Sequence, residues 1–536
     1  MNNEKEILYR HTWTEAIEPQ RRGSHEINVG GIRMGGSGRV VVQTMTDCDT
    51  NDTEACLCQI ERIRTAGCRL IRLTVQGMRE VAGIGRVAEQ VRRQWPDTAL
   101  VADVHFQPKV ADAVAEHVDK VRINPGNYCD RGGDFEALLE KCDAVGVALR
   151  IGVNHGSLSE KMVERYGDTP EGMVESAMEY LRVCRERGFA NVAVSMKSSN
   201  TRVMVHAYRM LVAAMQAEGM DYPLHLGVTE SGSDIEGRIK SAVGIGALMC
   251  DGVGDTIRVS LTEPPENEIP AAKVITEYFA GRNRTTSQNA KFFERHNPFS
   301  YERRRSAQVG RLGGGSEPLL YSELDTEELQ MVRDGRIALL TSRGEDPISE
   351  WRAAIVEMDE SDDNRPIILH REYCETDPTL LAIKAAADFG VMLIDGIADG
   401  IRLENRVGEQ EPIAAETIRE IELTILQGAR SRMSKAEFIA CPGCGRTLYS
   451  LQEALRAIKA KFSHLRGIKI GVMGCIVNGP GEMADADYGY VGAGVGRVTL
   501  YRGQEQVRSN IPQEEALDAL TELIKADGKW IDVQQL

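Results

Sequence analysis

Between residues 40 and 262 eight short runs rich in β-branched residues recur, each separated from the next by a helix-length amphipathic stretch. They are VVVQT (40–44), RLIRLTV (69–75), ALVADVHF (99–106), KVRINP (120–125), GVALRIGV (146–153), NVAVSMK (191–197), PLHLGVT (223–229) and DTIRVSLT (255–262). This alternation builds parallel strands with helices outside. Eight strands with seven intervening helical stretches match a (β/α)8 barrel better than an open doubly wound sheet. The preceding segment HEINVGGIRMGGSGR (25–39) is glycine-rich but lacks the strand-to-helix order of a phosphate loop, so it reads as a hairpin capping the barrel bottom.

At 536 residues the chain exceeds one hydrophobic core, and roughly 100–200 residues per domain suggests about three units. After TEPPENEIP the composition shifts to an Arg- and Gly-rich stretch, RRRSAQVGRLGGGSEP (303–318), and acidic surface segments such as EMDESDDNRP (357–366). This reads as a linker into an inserted domain. The insert repeats part of the barrel, because IKSAVGIGALMCDGVGDTIRV (239–259) aligns without gaps on IKAAADFGVMLIDGIADGIRL (383–403). The expected fold is α/β: a barrel over residues 1–280, a degenerate barrel-like α/β spacer over 281–430, and a C-terminal α+β domain over 431–536.

A net charge of −16 argues against nucleic acid as a partner, since phosphate backbones need an electropositive face. Any anion site must be local. No apolar run approaches the roughly 20 residues that span a bilayer, and the polar opening MNNEKEILYRHTWTEAIEPQRRG lacks the features of a signal or transit peptide, so no membrane contact and a cytoplasmic location are expected. Most of the twelve cysteines, as in ALMCDGV, read as buried reduced thiols rather than a disulfide framework.

Strand C-termini carry the chemistry of these barrels. Arg72, Arg122, Arg150, Lys197 and Arg258 supply five cations from five strands, with Asn154 and Ser260 beside them. In an acidic protein such a cluster suits a small, doubly charged anion such as a diphosphate. Thr229 and Glu230 place an acid among them, and Glu230 could exchange protons with a bound substrate.

Three further cysteines stand apart. Cys441 and Cys444 in CPGCGRT have C-x2-C spacing, and Cys475 follows in MGCIVNGPGE (473–482), which ends on Glu482. A thioredoxin-like pair needs no third cysteine. Structural zinc wants a fourth strong ligand, and only His464 is near in sequence. An iron-sulfur cluster on three thiolates explains more, with Glu482 as an oxygen ligand at the remaining iron. Gly474, Gly479 and Gly481 would admit a bulky cluster and offer N–H groups to it, while Pro480 stiffens the loop.

The motifs QTMTDCDTND, RINPGN, IGVNHGSL, HLGVTESG, GDTIRVSLT, CPGCGRT and GCIVNGPGE together resemble the 4-hydroxy-3-methylbut-2-enyl diphosphate synthase family, in its three-domain form. The resemblance spans nearly the whole chain. It implies reductive opening of 2-C-methyl-D-erythritol 2,4-cyclodiphosphate in the methylerythritol phosphate pathway, with electrons from ferredoxin or flavodoxin. It also implies a 4Fe-4S cluster on Cys441, Cys444, Cys475 and Glu482, diphosphate contacts from Arg72, Arg122, Arg150, Asn154, Lys197, Arg258 and Ser260, and Glu230 as proton donor. It leaves a homodimer open: the two-domain form closes its site across a dimer, whereas a spacer could let the cluster domain reach its own barrel. A zinc-stabilised phosphosugar lyase and a non-catalytic iron-sulfur carrier are the competing readings.

Overall fold

The computed structural model describes residues 3–532 except Pro19, Phe106, Arg131, residues 283–285, Leu448 and Asn478. Strands β1 (Ile27–Val29) and β2 (Ile32–Met34) form an antiparallel hairpin. All eight expected runs then supply strands: β3 (Val41–Met45), β4 (Leu70–Val75), β5 (Ala99–Val104), β6 (Lys120–Ile123), β7 (Ala148–Asn154), β8 (Val192–Lys197), β9 (His225–Leu226) and β10 (Thr256–Ile257). They pair in parallel in the order β8-β7-β6-β5-β4-β3-β10-β9, and a bridge between Val194 and Leu224 joins the two ends of the sheet. The hairpin plugs the bottom, where Ile27, Val29 and Met34 pack on Leu70, Ala99, Val101, Ala148 and Ala193 from the first halves of the strands. Higher up the interior turns polar. Lys120, Arg150 and His225 are fully buried there.

The insert is half a barrel. Its strands β11 (Leu319–Leu320), β12 (Ala338–Ser342), β13 (Ile367–Tyr373) and β14 (Gly400–Asn405) pair in parallel as β11-β14-β13-β12, the order of β3-β10-β9-β8. The repeated segments become helices Asp234–Met249 and Pro378–Ile394, which pack against each other. A Cβ on Gly246 would lie 3.0 Å from Ala387 Cα, and one on Gly390 would lie 2.8 Å from Val243 Cγ2. Positions 243 and 387 correspond in the repeat, as do 246 and 390, so the contact is a local two-fold. Beyond it Asp251 and Asp395, also equivalent, each bind both Arg209 and Arg352 at 2.6–3.0 Å, with all four side chains buried. Buried charges persist when each is paired in this way.

Two expectations change here. The Arg-rich segment is no free linker: Arg303 and Ser306 each reach Asp399 at 3.0 Å, as Arg21 and Ser24 reach Asp255 at 3.7 and 2.8 Å. RRGS (21–24) and RRRS (303–306) therefore belong to the same repeat, extended to its beginning. One apolar core also runs from Tyr9 through Leu248 to Phe389 and Ile425, crossing residue 280 without a break. Among the other cysteines, Cys58 and Cys374 are exposed rather than buried.

The C-terminal unit has its own core around Phe462, Ile470, Tyr488, Leu500 and Leu520. Strands β15 (Glu437–Ala440), β16 (Lys469–Met473), β17 (Tyr488–Gly494), β18 (Arg497–Arg502) and β19 (Glu505–Pro512) pair in sequence order, parallel as far as β17 and antiparallel beyond. The unit sits on the barrel's C-terminal end. Lys240 binds Glu437 at 2.9 Å, Thr262 Oγ1 donates to the Cys441 carbonyl at 2.9 Å, and Ser231 bridges to Ala440. Among the described residues no helix is long and apolar enough to cross a membrane.

Candidate active site

Period-two alternation turns Arg72 on β4, Arg122 on β6, Arg150 and Asn154 on β7 and Lys197 on β8 toward the barrel axis. Thr229 and Glu230 follow β9, and Arg258 and Ser260 follow β10. From above come Cys441 and Cys444 after β15, Cys475 after β16, and Glu482 at the end of the helical turn Gly479–Glu482. Every one of these sequence-read residues lines a single cavity.

The cavity also contains groups that sequence reasoning missed. Asp103 on β5 lies 3.1 Å from Arg122, 3.4 Å from Arg446 and 3.9 Å from Arg72. Burial alone would favour its protonated form, but Arg72 and Arg122 outweigh that and hold its carboxyl well below the usual range. Arg122 Nη1 donates to His105 Nε2 at 2.7 Å, and burial pushes this imidazole down to about 3, so it is neutral. Polar residues at alternate positions of ALVADVHF were the available signal. Arg258 is held in a bidentate pair by buried Glu268 at 2.9 and 3.1 Å. Arg150 has a different setting, since Arg150 Nη1 reaches Ser195 Oγ at 3.4 Å and its Nε is unpartnered. Burial, then Arg72 and Arg122, lower its pKa well below the usual value, and burial does the same to Lys197.

Six cations, counting Arg446, thus face four carboxylates: Asp103, Glu230, Glu268 and Glu482. Glu230 is itself pushed well above the usual carboxylate range, first by burial and then by Glu482. Its backbone lies in the left-handed region at φ 49°, a conformation non-glycine residues rarely adopt, and its Oε2 is buried without a partner. Positive charge therefore exceeds negative at the mouth.

The thiol loop meets this mouth directly. Asn154 Nδ2 donates to Glu482 Oε1 at 2.8 Å, while Asn154 Oδ1 accepts from Arg122 at 3.2 Å. Arg446 Nε donates to Cys444 Sγ at 3.3 Å, and the Gly474 N–H donates to Cys441 Sγ at 3.2 Å. Gly481 serves another purpose than the one expected: its bare Cα and that of Gly156 lie against each other, and a Cβ on either would collide with the other's carbonyl. Gly479 faces Val491 and Met473. A Cβ on Gly474 would lie 2.8 Å from Thr447 Oγ1, so all three glycines permit close packing, one of them across the contact with the barrel.

Burial pushes the Cys441 thiol well above its usual range and raises Cys475 as well. Half-buried thiols, with N–H and guanidinium donors aimed at sulfur, suit a metal centre that would deprotonate them on binding. Zinc loses its candidate fourth ligand, because His464 Nε2 donates to the Ile531 carbonyl at 2.9 Å. Among the described residues no three His, Cys, Asp or Glu side chains form a ready single-ion site.

Barrel and mouth together define an enzyme that gathers a small polyanion beneath three thiols from two loops. Residues 24–273 match the GcpE TIM-barrel domain and residues 437–526 the GcpE protein C-terminal domain. Proteins named 4-hydroxy-3-methylbut-2-en-1-yl diphosphate synthase (flavodoxin) align along almost their whole lengths: that of Parabacteroides distasonis is 41% identical over 96% of this chain and 99% of its own, and that of Phocaeicola vulgatus 42% identical with the same coverage. The chain belongs to this family. A solved dihydropteroate synthase from Yersinia pestis covers 47% of the chain and 97% of its own at 15% identity and a TM-score of 0.32, too slight a likeness to carry an argument.

Proposed function

We propose that the chain converts 2-C-methyl-D-erythritol 2,4-cyclodiphosphate, two electrons and two protons into 4-hydroxy-3-methylbut-2-enyl diphosphate and water. The observation that carries this reading is the meeting of the cationic strand ends and the three thiols in one cavity. A 4Fe-4S cluster held by Cys441, Cys444 and Cys475, with Glu482 at its remaining iron, would supply the electrons singly. Flavodoxin is the donor suggested by the relatives' names.

The chain's own residues bind, orient and protonate. Arg72, Arg122, Arg150, Lys197 and Arg258 neutralise the diphosphate, and Asn154, Thr229 and Ser260 fix its orientation. Glu230, kept protonated by burial and Glu482, hands a proton from Oε2 to the leaving oxygen. The ion pair of Arg446 with Asp103 seats the thiol loop on the barrel and excludes water. The insert acts as a spacer between barrel and cluster unit.

The test is anaerobic turnover of the cyclodiphosphate by the iron-loaded chain with reduced flavodoxin. Formation of the linear allylic diphosphate is expected. A fully loaded, reducible chain that binds the substrate without turning it over would support the carrier reading instead. Cys441→Ser, Cys444→Ser and Cys475→Ser should each lose visible absorption and activity together. Glu482→Ala should keep most of its iron with an altered spectrum, because an oxygen ligand holds less tightly than a thiolate.

A further inference from the structure

The segment joining β3 to helix Thr53–Thr65 carries Cys48, and the first turns of that helix carry Cys56. Neither lines the cavity. Their sulfurs lie 3.4 Å apart, in contact but unbonded. Cys56 is fully buried whereas Cys48 is partly exposed, so a small oxidant can reach one sulfur and the other is placed to resolve the product.

The surroundings decide which side must move. Cys56 is fixed by its helical bond from N–H to the Asp52 carbonyl at 3.0 Å. The segment holding Cys48 is pinned on either side of it, where the Asp47 N–H donates to Gln59 Oε1 at 2.9 Å and Thr50 Oγ1 donates to the Thr74 carbonyl at 2.6 Å. Shortening the sulfur separation to a bond of about 2.05 Å must therefore be absorbed by the Cys48 side chain and its own peptide. That peptide touches the thiol loop: a Cβ on Gly445 would lie 2.6 Å from the Cys48 carbonyl oxygen and 3.4 Å from Asp49 Cα.

We propose that Cys48 and Cys56 form a redox-modification site, in which a peroxide converts the pair to a reversible disulfide that loosens the seating of the thiol loop on the barrel. The peroxide transfers one oxygen to the Cys48 sulfur, leaving a sulfenic acid and one water. The Cys56 sulfur then attacks the Cys48 sulfur and expels hydroxide, which takes the Cys56 proton and leaves as a second water. Two thiols and one peroxide become one disulfide and two waters, and a dithiol reverses the change. A hydrogen bond from Cys56 lowers the Cys48 thiol below its ordinary value, which favours Cys48 as the sulfur that attacks the peroxide oxygen.

The disulfide does not depend on the proposed reaction, and neither does its readout. The full chain is treated with hydrogen peroxide, alkylated, cut with trypsin and weighed. Cleavage after Arg39 and Arg62 puts Cys48, Cys56 and exposed Cys58 in one peptide. The expected product has lost two hydrogens and carries a single alkyl group on Cys58, and dithiothreitol restores three alkylation sites. Hydrogen exchange over residues 441–447 should quicken about threefold or more in the oxidised form, and not in a Cys48→Ser chain given the same peroxide treatment, which cannot form the disulfide. Three alkylated cysteines after treatment, or a bridge that uses Cys58, would overturn the site. A Cys48–Cys56 disulfide with unchanged exchange would overturn its coupling to the loop.

Discussion

Arg150 is buried in the barrel with its Nε unpartnered, and a buried cation without a counter-charge is costly unless an anion comes to it. Arg150→Met keeps much of the volume and removes that charge. We expect it to weaken diphosphate binding in calorimetry by about 1.5–3 kcal/mol, the scale of a charged hydrogen bond, while the melting temperature holds or rises. Arg258→Ala should lose binding and stability together, because Glu268 would be left buried and unpaired at a cost of about 3–5 kcal/mol. Glu422 gives a pH signature of its own. Burial pushes it up to about 7 while it accepts the Leu403 N–H at 2.8 Å. The folded chain therefore keeps a proton that the unfolded chain releases near its ordinary value of about 4.3. Stability from this group is present below that pH and falls as pH rises toward about 7, by up to about 1.4 kcal/mol per unit. In melting curves the advantage of Glu422→Gln over the parent should grow from pH 5 to about 7 and then level off.

At the scale of elements, the thiol-bearing unit and the barrel meet backbone to backbone where Gly481 faces Gly156 after β7. Gly481→Ala should leave iron content intact, since the thiols are untouched, yet lower turnover by about tenfold or more through misplacement of Glu482. Loss of iron together with activity would show that the glycine serves the cluster instead. The repeat makes a second comparison. Arg402 and Glu404, the counterparts of Arg258 and Ser260, pair with each other at 3.1 Å, and Glu404 also takes His370 at 3.0 Å. With its charge already answered, the half-barrel should be catalytically silent, and Arg402→Ala should leave diphosphate affinity unchanged. Its helix-strand units were legible because apolar spacing is local. That only four strands form among its described residues was not, because a missing strand leaves no pattern behind.

In the whole molecule the thiol loop closes on the barrel of its own chain, through Lys240 with Glu437, Asp103 with Arg446 and Asn154 with Glu482. A mixture of Cys475→Ser and Arg150→Met chains should therefore turn over no faster than the Arg150→Met chain alone; turnover above that level would mean that sites form between chains. Sequence by itself determined the eight strands, the basic residues at their ends and the thiol spacing, since each depends on alternation or separation among residues close along the chain. Only the tertiary structure decided that Asp103 and Glu268 temper the cations, that Gly481 serves the contact with the barrel, and that the insert shares the barrel's core. Those outcomes rest on partners far apart in sequence, such as Arg209 with Asp395 and Asp103 with Arg446, whose pairing is selected by burial and charge balance once the chain has closed.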